Sequence, residues 1–167
     1  RVALITTGLS FLDGITVGFQ LSAFVLQAGA FQGFTGSMLD MSRWPAFLEP
    51  SVLSNITVPG PLKLPRSLAY IGPGALLQHA FVGSLEGLSS NAFFESFDTM
   101  FVDTVVGGDL DLSSNPNLAS LSHVFVDTAV GGNLDLSNNP TLASLSHVFV
   151  DTVVGGNLDL SNNPSLL

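Results

Sequence analysis

The chain of 167 residues contains no cysteine, which excludes disulfide bonds, thiolate metal sites and thiol redox chemistry but leaves the compartment open. Positive charge is almost as scarce. Only four Lys or Arg residues occur, and none lies beyond position 66. Nucleic-acid binding needs clustered Lys and Arg side chains that neutralise phosphates, so this class of function is excluded.

The chain also lacks an uninterrupted apolar run of the kind that spans a membrane. Residues 14–39 carry no charge and are long enough to cross a bilayer. Three glutamines and five glycines interrupt the segment, and its alternating apolar residues favour buried strand and coil. Membrane association through residues 14–39 therefore stays a minor alternative. The chain begins with Arg1 rather than Met, which suggests a processed or truncated product.

Hydrophobic residues make up 46% of the chain and charged residues only 10%, so Ser, Thr, Asn and Gly must cover much of the surface. The length is sufficient for one domain with a real core and short for two. The formal charge of −9 is concentrated after residue 66, where no Lys or Arg offsets the acidic side chains. We therefore expect a single domain with a strongly anionic C-terminal part.

An internal repeat of 24 residues dominates the C-terminal part of the sequence. Segment 101–124 recurs at 125–148 with few substitutions and begins again at 149. Such a period predicts a solenoid, in which each coil shields the apolar face of the next. Weaker copies occur earlier, at 36–47, 59–64 and 88–97. The predicted organisation is degenerate N-terminal coils or a cap over 1–35, degenerate repeats over 36–100, and three regular repeats, the last incomplete, over 101–167.

Each regular repeat predicts one strand and a return path. Alternation places Leu134 and Leu136 on one face of the strand and Asn133, Asp135 and Ser137 on the other. The Gly-Gly pair before the strand permits a tight turn, with positive φ as one option, and Asn-Asn-Pro ends the strand. Stacked coils then form a parallel sheet. Apolar residues of the return path would stack as well, giving an aromatic column of Phe101, Phe125 and Phe149.

The segment Leu110-Asp-Leu-Ser-Ser-Asn115 and its copies at 134–139 and 158–163 resemble the L-x-L-x-x-N core of leucine-rich repeats. The resemblance implies a parallel sheet on the concave face and a convex side that is mostly irregular or short-helical. It also implies a structural ladder in which the asparagine side chains bond backbone groups of the turns. The members of that ladder are Asn115, Asn139 and Asn163.

Two subtypes of repeat remain open. Segments Leu62-Lys-Leu-Pro-Arg-Ser-Leu68 and Ala30-Phe-Gln-Gly-Phe34 resemble BspA-like surface repeats, whereas the Gly-Asn-Leu-x-Leu-x-Asn-Asn-Pro-x-Leu run is similar to receptor L-domain coils. Both groups act mainly in adhesion, recognition or cell-surface architecture. The resemblance therefore implies a binding or adhesion scaffold, extracellular or at the cell surface, for a protein or glycan ligand.

The leading hypothesis places the ligand on the concave strand face. Side chains that alternate away from the core in the three regular repeats would contact the ligand. The predicted binding residues are Asp109, Asp111, Ser113, Asn133, Asp135, Ser137, Asn157, Asp159 and Ser161.

No catalytic constellation is recognisable, so we expect neither an enzyme nor a cofactor. The sequence has no cysteine nucleophile, no G-x-S-x-G elbow and no phosphate-binding G-x-x-x-x-G-K-[ST]. The aspartates of the acidic row are expected to be solvated, with Ca²⁺ binding between them as an alternative. His123 and His147 are in register, but two ligands are too few for a metal site.

Two further functions remain as alternatives. The sequence stops within a repeat and without a polar cap, which suggests a structural subunit whose open solenoid end meets further repeats or another subunit. Low charge and a threonine row suggest ice binding by a β-solenoid; this row comprises Thr104, Thr128 and Thr152. The triplet Asn55-Ile-Thr57 fits the N-glycosylation sequon and supports an extracellular setting.

Overall fold

The computed structural model describes residues 31–43, 47–48, 51–65, 68, 70–71 and 76–167. These residues form a parallel β-solenoid, which confirms the prediction of a repeat solenoid with coils of about 24 residues. No helix occurs among them. The predicted N-terminal coils or cap lie mostly outside the described residues, as do residues 14–30 of the uncharged segment.

In the part of the chain that the structure describes, nine strands form the main sheet, and every pairing in it is parallel. In the regular repeats each coil contributes two short strands, separated by the Gly-Gly pair. In the preceding coil one longer strand, β6 (Phe81–Glu86), pairs with both strands of the next coil. The strands are β1 Leu39–Asp40, β3 Thr57–Lys63, β6 Phe81–Glu86, β8 Val105–Val106, β9 Leu110–Asp111, β11 Ala129–Val130, β12 Leu134–Asp135, β13 Val153–Val154 and β14 Leu158–Asp159.

Two smaller parallel sheets lie on other sides of the solenoid. The resemblance to leucine-rich repeats predicted a mostly irregular or short-helical convex side. Outside the main sheet the described residues contain no helix, and they carry short two-residue strands. The Phe-Val pairs of the first two regular repeats bond each other, and the first also bonds Leu77–Gln78 of the preceding coil, so these segments form strands. The first small sheet pairs β2 Phe47–Leu48 with β4 Tyr70–Ile71, and the second contains β5 Leu77–Gln78, β7 Phe101–Val102 and β10 Phe125–Val126.

The register brings the strand leucines of successive coils into one inward column. Leu134 lies between Leu110 and Leu158, and the weaker N-terminal copies continue the same column through β6, β3 and β1. A one-residue shift of the register would turn these side chains outward, so burial of the column fixes the pairing. The members of the column are Leu39, Leu62, Leu85, Leu110, Leu134 and Leu158.

Each coil turns at corners where a residue other than glycine adopts positive φ. Asp, Asn, Ser and His tolerate this conformation because a short polar side chain can bond locally. At most of these corners the backbone N–H donates to a carbonyl of the next coil, as Asp127 does to Val150 at 3.0 Å. The described corner residues are Ser51, Thr99, His123 and His147; Asn55, His79, Asp103, Asp127 and Asp151; and Ser90, Ser114, Asn138 and Asn162.

The glycines between the two main-sheet strands of each coil are required because neighbouring coils approach closely there, and not because the backbone has a positive φ. Neither Gly107 nor Gly131 has a positive φ. A Cβ on Gly131 would overlap the carbonyl oxygen of Gly107 and lie 3.0 Å from its carbonyl carbon. Since both groups are backbone, no rotamer change relieves the contact. The Gly-Gly pair therefore sets how tightly the coils stack.

Replacing Gly131 with alanine should destabilise the fold by about 1–3 kcal/mol, the usual range for overpacking. The reason is the overlap with the backbone of the preceding coil. Chemical denaturation followed by circular dichroism measures the loss. Ala143→Gly is the matched control, since Ala143 is exposed in the same coil. An unchanged midpoint for Gly131→Ala would contradict the steric requirement.

Candidate binding face of the main sheet

The outer face of the main sheet carries side chains in straight columns, because strands in register place equivalent residues side by side. The first column is apolar and faces solvent. Phe81 and Val105 each expose 40% of their surface, and Val153 exposes 63%. The members of this apolar column are Phe81, Val105, Ala129 and Val153.

Beside the apolar column runs a flat column without side chains. It consists of the first glycine of each Gly-Gly pair together with the equivalent glycine of β6. The backbone N–H groups of this column donate to the preceding coil, as Gly131 does to the Val106 carbonyl at 2.7 Å. The column therefore exposes bare backbone to any ligand on the face. Its members are Gly83, Gly107, Gly131 and Gly155.

A polar column of Asp109, Asn133 and Asn157 follows, and it links the coils through side-chain oxygens. The backbone N–H of Asn133 donates to Asp109 Oδ1 at 2.7 Å, and that of Asn157 donates to Asn133 Oδ1 at 2.8 Å. All three side chains are exposed. Their oxygens thus stabilise the stack while the remaining polar atoms face solvent.

The acidic column of Asp111, Asp135 and Asp159 lies at the far side of the face, in strand register. Each Oδ1 accepts the backbone N–H of the serine two residues later, at 2.9, 2.8 and 2.8 Å respectively. This fixes the carboxylate plane. The described contacts leave the second oxygen of each carboxylate unbonded, so the column presents acceptors to solvent.

Hydrogen bonds from serine hold the pKa of Asp159 and of Asp40 below the usual range of an aspartate. For Asp159 the backbone N–H and then the side chain of Ser161 are the main causes. Asp40, which occupies the same position in β1, shows the same direction, with the side chain and backbone of Ser42 as the main causes. A lowered pKa means that the fold favours the carboxylate form. These side chains are therefore charged at neutral pH.

The charge of this column changes toward the N-terminal coils. Lys63 lies beside Asp40 in the register, and its Nζ is 3.2 Å from Glu86 Oε2. Both partners of the ion pair are substantially exposed, so the pair contributes little to stability. Its consequence is local neutralisation, which leaves Asp111, Asp135 and Asp159 as the uncompensated part of the column.

The structure brings the nine predicted binding residues onto one side of the main sheet but does not expose all of them. Ser137 is buried, and its Oγ accepts a hydrogen bond from Asn138 Nδ2 at 2.9 Å. Ser113 and Asp135 are half-buried, and Ser113 Oγ donates to Asp111 at 2.6 Å. The residues that offer most surface to a ligand are Asp109, Asp111, Asn133, Asn157, Asp159 and Ser161.

The asparagine residues of the predicted ladder bond backbone groups in the core. The backbone N–H of Asn115 donates to Asn139 Oδ1 at 2.8 Å, and the backbone N–H of Asn139 donates to Asn163 Oδ1 at 2.7 Å. The Nδ2 group of Asn139 donates to the carbonyls of Leu112 and Leu136 at 3.1 and 2.8 Å. This ladder joins three coils and holds the turn after each strand.

Asn91 extends the ladder by one coil and was missed by the sequence analysis. Its backbone N–H donates to Asn115 Oδ1 at 2.9 Å, and its Nδ2 donates to the Leu68 carbonyl at 2.7 Å. The degenerate copy at 88–97 contained the signal, since Asn91 precedes Asn115 by 24 residues. The apolar column was missed too, because Phe81 and Val105 differ in type and only the register relates them.

The threonine row points into the solenoid. Thr104 and Thr128 are buried, and their hydroxyls donate to the carbonyls of Leu77 and Phe101 at 3.2 and 3.3 Å. Thr152 is half-buried and donates to the Phe125 carbonyl. The row therefore satisfies backbone carbonyls at a corner and offers no regular array of hydroxyls to ice.

The rings of His123 and His147 stack at the surface with centroids 5.3 Å apart. His79 lies at another corner, where its Nδ1 is 3.2 Å from Asp103 Oδ2. Within the described residues no group of three or more His, Asp or Glu side chains is arranged to hold a metal ion. In the same part of the chain, no helix has the length and apolar character needed to cross a membrane.

No protein-family model matches this chain, and neither a curated protein nor a solved structure matches it. The geometry of the main sheet is therefore the guide to function. The relevant features are the apolar, glycine and acidic columns and the hydrogen bonds that hold them in place.

Proposed function

We propose that the chain is a non-catalytic scaffold of the leucine-rich repeat kind that binds a protein or glycan at the cell surface. The outer face of the main sheet is the binding surface. The observation that supports this most directly is the acidic column, in which each of Asp111, Asp135 and Asp159 keeps one carboxylate oxygen free on the same face as the flat glycine column. The apolar column completes the surface on the other side.

The chemistry of the face limits what it can bind. Free carboxylate oxygens accept hydrogen bonds and donate none, so a complementary ligand must offer donors. Glycan hydroxyls and the Lys or Arg side chains of a protein both meet this requirement. Apolar side chains with a few oriented polar groups are typical of binding surfaces, and this face has both. Within each column, neighbouring residues are spaced by roughly 4.8 Å along the stack, the distance between paired strands.

Long-range electrostatics favours a ligand with positive charge or with no charge. The chain has a formal charge of −9, and no Lys or Arg follows position 66 to offset Asp111, Asp135 and Asp159. An excess of one sign on one surface raises the association rate of an oppositely charged partner and repels acidic ones. We therefore favour basic protein surfaces and neutral or amino-sugar glycans over acidic ligands.

The asparagine ladder supports the assignment to leucine-rich repeats. In that family the asparagine of the L-x-L-x-x-N core is expected to bond backbone groups of the turn, and Asn115, Asn139 and Asn163 do so here. The strand leucines of the same core fill the inward column, where Leu110 and Leu134 are buried. The short strands on the other sides of the solenoid are the main difference from the expected pattern.

The structural-subunit alternative has one observation in its favour. Among the described residues β13 and β14 are edge strands, and Val153 and Leu158 expose 63% and 42% of their surface there. An exposed edge with apolar side chains favours pairing with another strand. A further coil or a neighbouring subunit could provide it. Ice binding has no comparable support, since the threonine hydroxyls point inward.

A charge-removal variant tests the binding proposal. In the triple variant Asp111→Asn, Asp135→Asn and Asp159→Asn the amide oxygen can still accept the serine N–H, so the turns are retained while the negative charge is lost. The matched control replaces the aspartates of the corner column with asparagine. That column tolerates the change, because Asn55 occupies the same corner with a similar φ. The control variant is Asp103→Asn, Asp127→Asn and Asp151→Asn.

Binding is measured on an array of neutral and amino-sugar glycans and on a panel of Lys- and Arg-rich peptides. We expect the acidic-column variant to weaken every specific interaction by about tenfold or more, since losing even one charge-assisted hydrogen bond costs about 1.5–3 kcal/mol. The corner variant should stay within about twofold because rim charges contribute little. Equal losses in both variants would contradict a site on the main sheet.

A further inference from the structure

Asn55, at a corner of the solenoid, is the one asparagine of an Asn-x-Ser/Thr triplet whose side chain is free. The residue is exposed with φ of 55°, and its amide makes no hydrogen bond with any described residue. Its backbone, in contrast, is held from both sides. The N–H donates to the Gln78 carbonyl at 2.8 Å, and the carbonyl accepts from Gly33 at 3.0 Å. A group attached to the amide would therefore replace no internal contact.

The rest of the triplet has matching orientation. Ile56 is completely buried and anchors the segment in the core, while Thr57 is exposed at the start of β3. Asn55 and Thr57 thus both reach solvent on either side of a fixed residue. The other coils place exposed His79, Asp103, Asp127 and Asp151 at the same corner, so this corner column is solvated along the described stack.

Two other Asn-x-Ser/Thr triplets occur in the sequence, and both have proline in the middle: Asn139-Pro-Thr141 and Asn163-Pro-Ser165. Proline at this position bars glycosylation. Both asparagines belong to the structural ladder, where each Nδ2 donates two hydrogen bonds to leucine carbonyls. A glycan on Nδ2 would replace one of the two N–H groups and break the ladder. Proline therefore blocks glycosylation in the two triplets whose asparagine side chain is needed for the fold.

We propose that Asn55 carries an N-linked glycan and that Pro140 and Pro164 keep the ladder asparagines unmodified. The inference rests on the cell-surface setting proposed above, because the oligosaccharide donor of N-glycosylation is accessible only to chains that enter the secretory route. The co-reactant is an oligosaccharide on a polyprenyl diphosphate. Asn55 Nδ2 forms a bond to the anomeric carbon and loses one proton. The bond from that carbon to the diphosphate oxygen breaks, and the lipid diphosphate leaves with the electron pair.

The modification is tested by secreting the full chain from eukaryotic cells behind a cleavable signal peptide. Intact mass before and after treatment with peptide N-glycosidase is the readout. We expect one glycan on the wild type, none on Asn55→Asp or Thr57→Val, and retention of the glycan on Thr57→Ser. Asn55→Asp is compatible with the fold, because Asp103, Asp127 and Asp151 occupy this corner with φ of 48°, 51° and 50°. A secreted wild type without glycan, or a glycan that persists on Asn55→Asp, would overturn the assignment.

The protective role of proline is tested with Pro140→Ala, which opens the triplet at Asn139. We expect a second glycan on this variant and a lower secreted yield, since the buried ladder needs both N–H groups of Asn139. A Pro140→Ala chain that gains no glycan would refute the role assigned to the proline. None of these variants changes the acidic column. A failure here therefore leaves the test of the binding face unaffected.

Discussion

Asn139→Ala is expected to lower the free energy of unfolding by about 2–5 kcal/mol. The backbone N–H of Asn115 loses its acceptor in a buried position. An orphaned buried donor costs about 1–3 kcal/mol. The carbonyls of Leu112 and Leu136 each lose one of two side-chain donors, because Asn115 and Asn163 still bond them. These half-satisfied acceptors, together with the small cavity left by the missing amide group, account for the rest of the loss.

Urea denaturation monitored by circular dichroism measures this effect, and Asn133→Ala is the control. Asn133 lies in the same coil and also accepts one backbone N–H, but it is exposed, so water can replace the lost bond. We expect its cost to stay below about 1 kcal/mol. A ladder variant no less stable than Asn133→Ala would show that burial of the ladder is unimportant for stability.

The main sheet could be predicted from the sequence because the 24-residue repeat and the alternation in Asn133-Leu-Asp-Leu-Ser act at the same positions. Period-2 alternation defines which residues point inward, and stacking of identical coils then forces Leu110, Leu134 and Leu158 into register. The asparagine ladder came from the resemblance to leucine-rich repeats. Local pattern and repeat were thus sufficient for the main sheet, whereas the ladder required the resemblance.

The outer surface was harder to predict because exposure depends on neighbours in adjacent coils. Ser137 alternates outward with Asp135, yet it is buried. Thr104 and Thr128 follow an aspartate in a polar-looking turn, but the positive φ of that aspartate directs them inward to carbonyls of the preceding coil. No period in the sequence encodes such a turn of the chain. A corner changes which of the following side chains point inward and which point outward. The backbone conformation at the corner determines this change.

The Gly-Gly pair illustrates the same limit. From the sequence alone, the glycine pair could be needed either for a positive φ or for the close approach of two backbones. The stacked backbones of Gly107 and Gly131 select close approach. This result also explains why the face is flat between the apolar column and the polar column of Asp109, Asn133 and Asn157. A requirement of packing thereby creates a surface without side chains at the centre of the proposed site.

Phe125→Ala should be the most damaging change to the return path of the coil, with an expected loss of about 3–5 kcal/mol. Phe125 is completely buried, and its ring stacks between Phe101 and Phe149 at centroid distances of 5.4 and 5.7 Å. The substitution leaves a cavity and removes two ring contacts, each worth about 0.5–1.5 kcal/mol beyond area burial. In a solenoid these contacts are also the coupling between coils.

The loss should therefore be directional. Coils that follow Phe125 stay attached to the stack through fewer contacts, so hydrogen exchange should accelerate first in β13 and β14, before the strands β3 and β6. Phe93→Ala is the control, since Phe93 exposes 65% of its surface and should cost no more than about 0.5 kcal/mol. Uniform acceleration across all strands would contradict coil-by-coil coupling. An effect as small as that of Phe93→Ala would contradict the importance of the aromatic column, because the core would then tolerate a missing ring between two neighbours.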